Sequence, residues 1–251
     1  MIGKFITKFQ NHAEYESAEA NLVLPNVSLC ETEGEVHYNP YVHDYSQDYL
    51  TFVALEDGTF QLSKNAVSYS LDNGETWTSL AAATSTPTVT AGSKIMWKGE
   101  LTPSSSTPLG IGMFSSTSNF NTEGNVMSLL YGDNFIGQTD LTSKNYAFAA
   151  LFANCSKLIN AKNLSLPATT LASNCYRNMF YGCTSLTTAP NLLATTLVTY
   201  CYAAMFGNCT SLTTAPNLPA TTLANNCYNQ MFYLCTSLTT APNLPATTLA
   251  K

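Results

Sequence analysis

Apolar and polar positions fall into three regimes along the 251 residues. Between about 46 and 140, the short runs YLTFVAL, GTFQL, AVSYSL, TPTVTA and SKIMWKGEL are separated by Gly, Asn, Asp and Ser clusters. Runs bounded in this way predict strands, and several close together predict an antiparallel, sandwich-like β domain. From about 145 onward short alternation gives way to long-period recurrence. CYRNMFYGCTSLTTAPNLLATTLV (175–198), CYAAMFGNCTSLTTAPNLPATTLA (201–224) and CYNQMFYLCTSLTTAPNLPATTLA (227–250) are near copies, and a looser one starts at Leu151. A fixed period of about 20 to 50 residues predicts a stacked array. Residues 1–45 fit neither regime. The stretch HAEYESAEANL has helix-forming composition, so this segment is predicted as a partly helical leader.

The repeat period can be read from its cysteines. Cys175, Cys201 and Cys227 are spaced by 26 residues, and Cys155, Cys183, Cys209 and Cys235 by 28, 26 and 26. The two additional residues of the first copy fall near Leu164, Ser165 and Leu166. Leu186, Leu212 and Leu238 each follow the second cysteine by three, with Ala three later and Leu three after that. This spacing resembles a leucine-rich repeat. The string MFxxCTSLTTAPxLPATTLAxxCYxxMF resembles, more closely, the BspA-like family of leucine-rich repeats, over roughly the last 107 residues. The leader and β domain resemble segments that often precede such repeats. The resemblance implies a surface protein of anaerobic bacteria or a protein of their phages. The expected fold is therefore mainly β: an antiparallel β-sandwich-like domain (46–144) followed by a leucine-rich-repeat solenoid (145–251).

Stacked coils would bring equivalent residues to about one strand spacing, ~4.8 Å, so the cysteines are expected to form two ladders inside the stack. A free thiol behaves as a small buried hydrophobe and suits such a place. Disulfides compete with this reading. Within one copy, eight residues read as helical would hold a pair ~12 Å apart, beyond disulfide reach. Between coils the distance is allowed, but parallel-stacked side chains point the same way. Zinc ranks third, since the short-spaced Cys pairs of zinc ribbons are missing and the copies hold no His. The preferred expectation is buried free thiols at Cys155, Cys175, Cys183, Cys201, Cys209, Cys227 and Cys235.

One hairpin is marked in the β region. SYSLDNGETWTSL sets Asn73 and Gly74 between two strand-like runs, a strong turn signal. It also resembles the Asp-box through Ser70, Asp72, Gly74, Thr76 and Trp77. That resemblance implies a brace in which Asp72 ties the turn and Trp77 packs beneath it. Sialidase propellers carry several copies; the single one here, without an arginine cluster, implies bracing alone. Tyr38, Tyr41, Tyr45 and Tyr49 would share one side if their segment were helical, as a packing stripe rather than a ligand face.

Charge narrows the function classes. Asp, Glu, Lys and Arg make up 10% of the chain, against about 25% in ordinary soluble domains. All sixteen acids lie at or before Asp140; from Asn145 onward only Lys157, Lys162, Arg177 and Lys251 are charged. No basic patch points to nucleic acid. No run approaches ~18 apolar residues, so no membrane span is expected. Lys4, Lys8, His12 and Glu14 interrupt the N-terminus, and no signal peptide is visible in this chain. His12, His37 and His43 lie in the leader. His37 and His43 stand near Glu33, Glu35 and Asp44 but match no metal spacing, so they are read as surface residues, and no metal or cofactor is expected. The copies lack His, Asp and Glu, which leaves general acid–base chemistry without a carrier there.

The sequence is thus read as a non-enzymatic surface recognition protein, with a β base and a repeat arm. A phage virion or tail-associated protein is preferred over a secreted bacterial adhesin, and a glycan-acting hydrolase is a remote third. Expected partners are a protein or glycan on a cell surface and, in a virion, other virion proteins; no nucleic acid is expected. The expected location is a virion or cell surface. Positions that differ among copies are the binding candidates: Arg177, Asn178, Tyr181, Asn208, Asn229, Gln230 and Tyr233, with Ala203 and Gly207 beside them. Because the last copy stops at PATTLAK, either further repeats or a partner chain, a homo-oligomer included, is expected to cover its edge.

Overall fold

The computed structural model describes residues 27–32, 35–40, 43–103 and 112–248. The chain divides into two compact units, Met1–Asp44 and Tyr45–Lys251. In the first, β1 (Val27–Thr32) and β2 (Glu35–Pro40) pair antiparallel, Val27 against Pro40 and Thr32 against Glu35. HAEYESAEANL and the side chains of His12 and His37 lie outside the described residues. The tyrosine stripe does not form as a helical face. Tyr38 is in β2 and Tyr45 opens a short 3-10 turn, Tyr45–Gln47.

The second unit is mainly β. Its strands are β3 (Leu50–Ala54), β4 (Phe60–Leu62), β5 (Val67–Ser70), β6 (Thr78–Leu80), β7 (Lys94–Lys98), β8 (Phe114–Ser116), β9 (Phe120–Asn125) and β10 (Leu158–Ser165). A four-residue helix, α1 (Ser128–Tyr131), follows β9. Six strands form one sheet in the order β10-β9-β3-β7-β5-β6. Every pairing is antiparallel except β9 with β10, so the sheet is mixed rather than purely antiparallel. TPTVTA contributes a single bridge, Val89 to Gly58, and no strand.

The β-prone runs bury one side by alternation: Phe52, Ile95, Trp97 and Phe120 are fully covered. The β4–β8 ribbon supplies Phe60 and Phe114, which meet Phe52 at ring-centroid distances of 5.3 and 4.9 Å. Ser128 ties α1 to the sheet, accepting from the Leu50 amide at 3.0 Å and donating to the Trp97 carbonyl at 2.9 Å. At Gly124 (φ +78°) a Cβ would stand 1.9 Å from the Tyr49 carbonyl oxygen, so only glycine lets β9 pass the start of β3.

The hydrophobic core continues across 144/145. Phe152 of the first copy lies 5.8 Å from both Phe52 and Phe114, and sheet and copies share one hydrophobic core. Parallel pairing continues beyond β10, with Asn160 bridging Thr188 and Thr188 bridging Thr214. The residues between the two cysteines of each copy are not helical. They form successive turns in which alternate amides close back three residues, as Cys175 to Ala172, Arg177 to Asn174, Met179 to Tyr176, Tyr181 to Asn178 and Cys183 to Phe180. The intervening amides donate onward, Tyr176 to Cys201 at 2.9 Å and Tyr202 to Cys227 at 3.0 Å. The copies therefore stack in register at the cysteine-to-cysteine repeat offset.

Candidate recognition surface

The turn run of each copy needs residues with positive φ at every fourth place. Asn174, Asn178 and Gly182 occupy these places in one copy (φ 59°, 57° and 73°), Tyr200, Ala204 and Asn208 in the next, and Asn226, Gln230 and Leu234 in the last. Tyr146, Ala150 and Asn154 do the same in the first. Each is the third residue of a turn, a place that favours Gly or Asn, and no β-branched residue occurs at any of them. Three sequence-selected positions, Asn178, Asn208 and Gln230, are among them. Backbone conformation is enough to account for Asn178 and Asn208, and it does not select Gln230.

The remaining candidates divide by exposure. Arg177 and Asn229 are equivalent in alternate copies and exposed, while Ala203 between them is buried. The Arg177 guanidinium lies 5.4 Å from the Tyr200 ring and donates to Asn174 at 3.4 Å. Tyr181 and Tyr233 are also equivalent, half-buried and exposed respectively, with Gly207 between them. A Cβ on Gly207 would come 2.8 Å from the Tyr181 ring, so that glycine is the space into which Tyr181 folds. The structure thus gathers Arg177, Tyr200, Tyr181, Asn229 and Tyr233 on the turn-bearing side of the stack. Tyr200 carries no signal in the sequence beyond being a variable position; its place beside Arg177 appears only when copies stack.

Behind this side, the cysteines fill the interior. All seven named by sequence are free and buried. The second ladder is held by thiols as donors: Cys183, Cys209 and Cys235 donate to the carbonyls of Phe152, Phe180 and Phe206 at 3.0, 3.1 and 3.0 Å. Burial pushes the thiol of Cys155 up to about 11 and those of Cys201 and Cys209 to about 12, with Cys175 and Cys183 well above the usual thiol range. Two aromatic ladders run beside them. Phe148, Tyr176, Tyr202 and Tyr228 stack at 5.6, 5.7 and 6.1 Å, and Phe152, Phe180, Phe206 and Phe232 at 5.5, 5.4 and 5.8 Å.

The Asp72 hairpin lies in the sheet, and its bonding is that of a brace. Ser70 Oγ donates to Asp72 Oδ1 at 2.6 Å and accepts from the Gly74 amide at 2.8 Å. The Thr76 amide and hydroxyl both donate to Asp72, and the Trp77 indole donates to the Gly74 carbonyl at 3.0 Å. These donors, Ser70 first and then Thr76, hold the Asp72 carboxyl down at about 2. Asn73 and Gly74 both have positive φ, as the turn signal anticipated, although the connection spans residues 71–77 rather than two residues. Trp77 is half-buried, packing 4.8 Å from the Tyr49 ring with Lys98 Nζ 4.2 Å over its face.

Next to that hairpin is an open cleft of 370 Å³, lined by Ser68, Ser79, Lys98, Gly99, Glu100 and Asp133 among others. Lys98 reaches Asp133 at 2.7 Å, and the Tyr49 hydroxyl donates to the same carboxylate at 2.7 Å. The Lys98 and Tyr49 bonds hold Asp133 below the usual carboxylate range; burial and that bond raise Tyr49 to about 12. All three polar groups are therefore committed to one another. Among the described residues, no three His, Cys, Asp or Glu side chains converge to hold a metal ion, and no helix is long and apolar enough to cross a membrane. No family model matches the chain, and neither does any curated protein or solved structure.

Proposed function

We propose that this protein is a recognition module without catalytic activity, built as a β base carrying a leucine-rich-repeat solenoid of the BspA-like kind. The observation that supports this most is the side of the stack bearing Arg177, Tyr200, Tyr181, Asn229 and Tyr233. It varies from copy to copy, while across the three near copies the cysteines and rings behind it do not. Constancy inside and variation outside is how a stacked repeat serves one scaffold and a particular ligand. The surface offers aromatic faces and uncharged donors and acceptors, which suit a glycan or a polar protein surface.

The preferred setting is a phage virion or tail, where the β base joins other virion proteins and the stack meets the cell surface. A secreted adhesin would use the same surface. Proteomics of purified virions and of host surface fractions, with a glycan array for the ligand, separates the settings. Enrichment in virions with array binding supports the phage reading. Enrichment in the surface fraction moves it to the adhesin. Turnover of a model glycoside, lost on changing one carboxylate, overturns the non-catalytic reading.

A further inference from the structure

Arg177 is the only charged residue in the turn runs of the three near copies, which contain no Asp or Glu. It is exposed, and among the described residues it has no carboxylate within ion-pair reach. Of the N–H donors of its fork, one is engaged, with Asn174 Oδ1 at 3.4 Å. The Tyr200 ring lies 5.4 Å from the guanidinium, and the backbone does not explain that tyrosine. Tyr200 has φ 57°, in the left-handed region that an aromatic residue enters at a cost. The copies on either side fill the same place with Asn174 and Asn226, which suit it better. A residue kept in an unfavourable conformation points to a role for its side chain, and here that side chain lies against Arg177. Four residues after Arg177, the half-buried Tyr181 brings a second ring, held against Gly207 of the next copy. The site thus combines an unneutralised guanidinium, the ring that steadies it and a further ring on the same run.

We infer that Arg177 receives the carboxylate of an acidic sugar, a uronate or sialate unit of a surface glycan. The inference rests on the reading of this side of the stack as the recognition surface, and it names the chemistry of the ligand. A planar guanidinium fork pairs with a carboxylate through two parallel hydrogen bonds, and stacking on a ring leaves that fork free to do so. A single cation suits a ligand with one carboxylate at this place. A polyanion such as a nucleic acid or an acidic peptide stretch calls for several cations, and these turn runs hold no other. The rest of a sugar unit matches what surrounds Arg177: an apolar ring face for Tyr181, and hydroxyls for neutral side chains such as Asn178. One close contact pair is screened little by salt, so binding keeps the weak salt dependence of the neutral contacts around it.

Binding of the full chain to glycans ending in glucuronate, galacturonate or sialate, each presented as the free acid and as its methyl ester, tests it. The parent is expected to bind at least one acid at least about tenfold more tightly than the matching ester. In Arg177→Gln that preference should shrink to less than about twofold. Tyr200→Asn, which installs the residue of the neighbouring copies, should reduce the preference at least about threefold without lowering the melting temperature. Equal binding of acid and ester by the parent, or a preference that survives Arg177→Gln, overturns the inference. Binding of none of the acidic glycans, or capture of peptides through their C-terminal carboxylates instead, overturns it too. The combined variant Arg177→Ala, Tyr181→Ala, Asn229→Ala and Tyr233→Ala then shows how far the failure reaches. Host-surface binding lost in that variant rejects the carboxylate alone and keeps the recognition surface; host-surface binding unchanged by it rejects both.

Discussion

Asn178 shows how one side chain can be explained by its backbone. Its φ of 57° is one that asparagine and glycine accept and β-branched residues resist. Asn178→Val is expected to cost about 1–2 kcal/mol, while Asn178→Gly stays within about 0.5 kcal/mol of the parent. Chemical denaturation of both variants checks this; equal losses would show that the side chain, not the conformation, matters. The cysteines give a second prediction at this scale. An unfolded-chain thiol ionises near pH 9, but burial raises Cys155 in the fold to about 11 and Cys201 and Cys209 to about 12. A raised folded value means stabilisation that is complete below about pH 9 and is lost as pH climbs toward 11 and 12. Melting temperatures should hold to about pH 9 and fall from there to pH 11, and thiol reagents at neutral pH should find the seven repeat cysteines unreactive until the protein is denatured. Prompt labelling of three or more of them in the native state would contradict the buried ladders.

At the scale of elements, the hairpin between β5 and β6 depends on two side chains in different ways. Trp77 is half-buried against Tyr49 and Lys98. Trp77→Ala is therefore expected to cost about 1.5–3 kcal/mol, less than the loss of a fully buried indole. Asp72 has its carboxyl held at about 2, so the stability it adds is present above about pH 4 and is lost as pH falls toward 2. Asp72→Asn should flatten that acid limb of a stability profile, and an unchanged limb would refute the brace. This hairpin was legible from the eight residues Ser70–Trp77 because Asp-box bonding is local. The copies were legible as a period for a different reason, since identical residues recur at identical spacing. Their conformation was not. The run from Cys175 to Cys183 reads as helical, yet its amides alternate between its own copy and the next. That alternation depends on a neighbouring copy, which no window of a single copy contains. β10 escaped notice because its pairing with β9 is parallel and joins what the composition shift separates. The cluster of Tyr49, Lys98 and Asp133 joins residues up to 84 positions apart, and no local pattern marks it.

At the scale of the whole unit Tyr45–Lys251, one core runs from the Phe52 cluster through Phe152 into the ring ladders. The sheet thereby covers the first copy, and the turn-bearing side of the later copies is left to solvent. Charge plays little part on that side: from Asn145 to the last described residue the only cations are Lys157, Lys162 and Arg177, and there are no acids. Recognition there is expected to depend on rings and neutral hydrogen bonds. The most direct test is binding to a glycan array, or to the host surface, by the parent protein and by the combined variant Arg177→Ala, Tyr181→Ala, Asn229→Ala and Tyr233→Ala. Both proteins should melt within a few degrees of each other. The account predicts that the combined variant loses binding at least about tenfold, and that raising salt from 0.05 to about 0.5 M weakens the parent by less than about threefold. Binding that survives all four substitutions, or that collapses with salt, would contradict it.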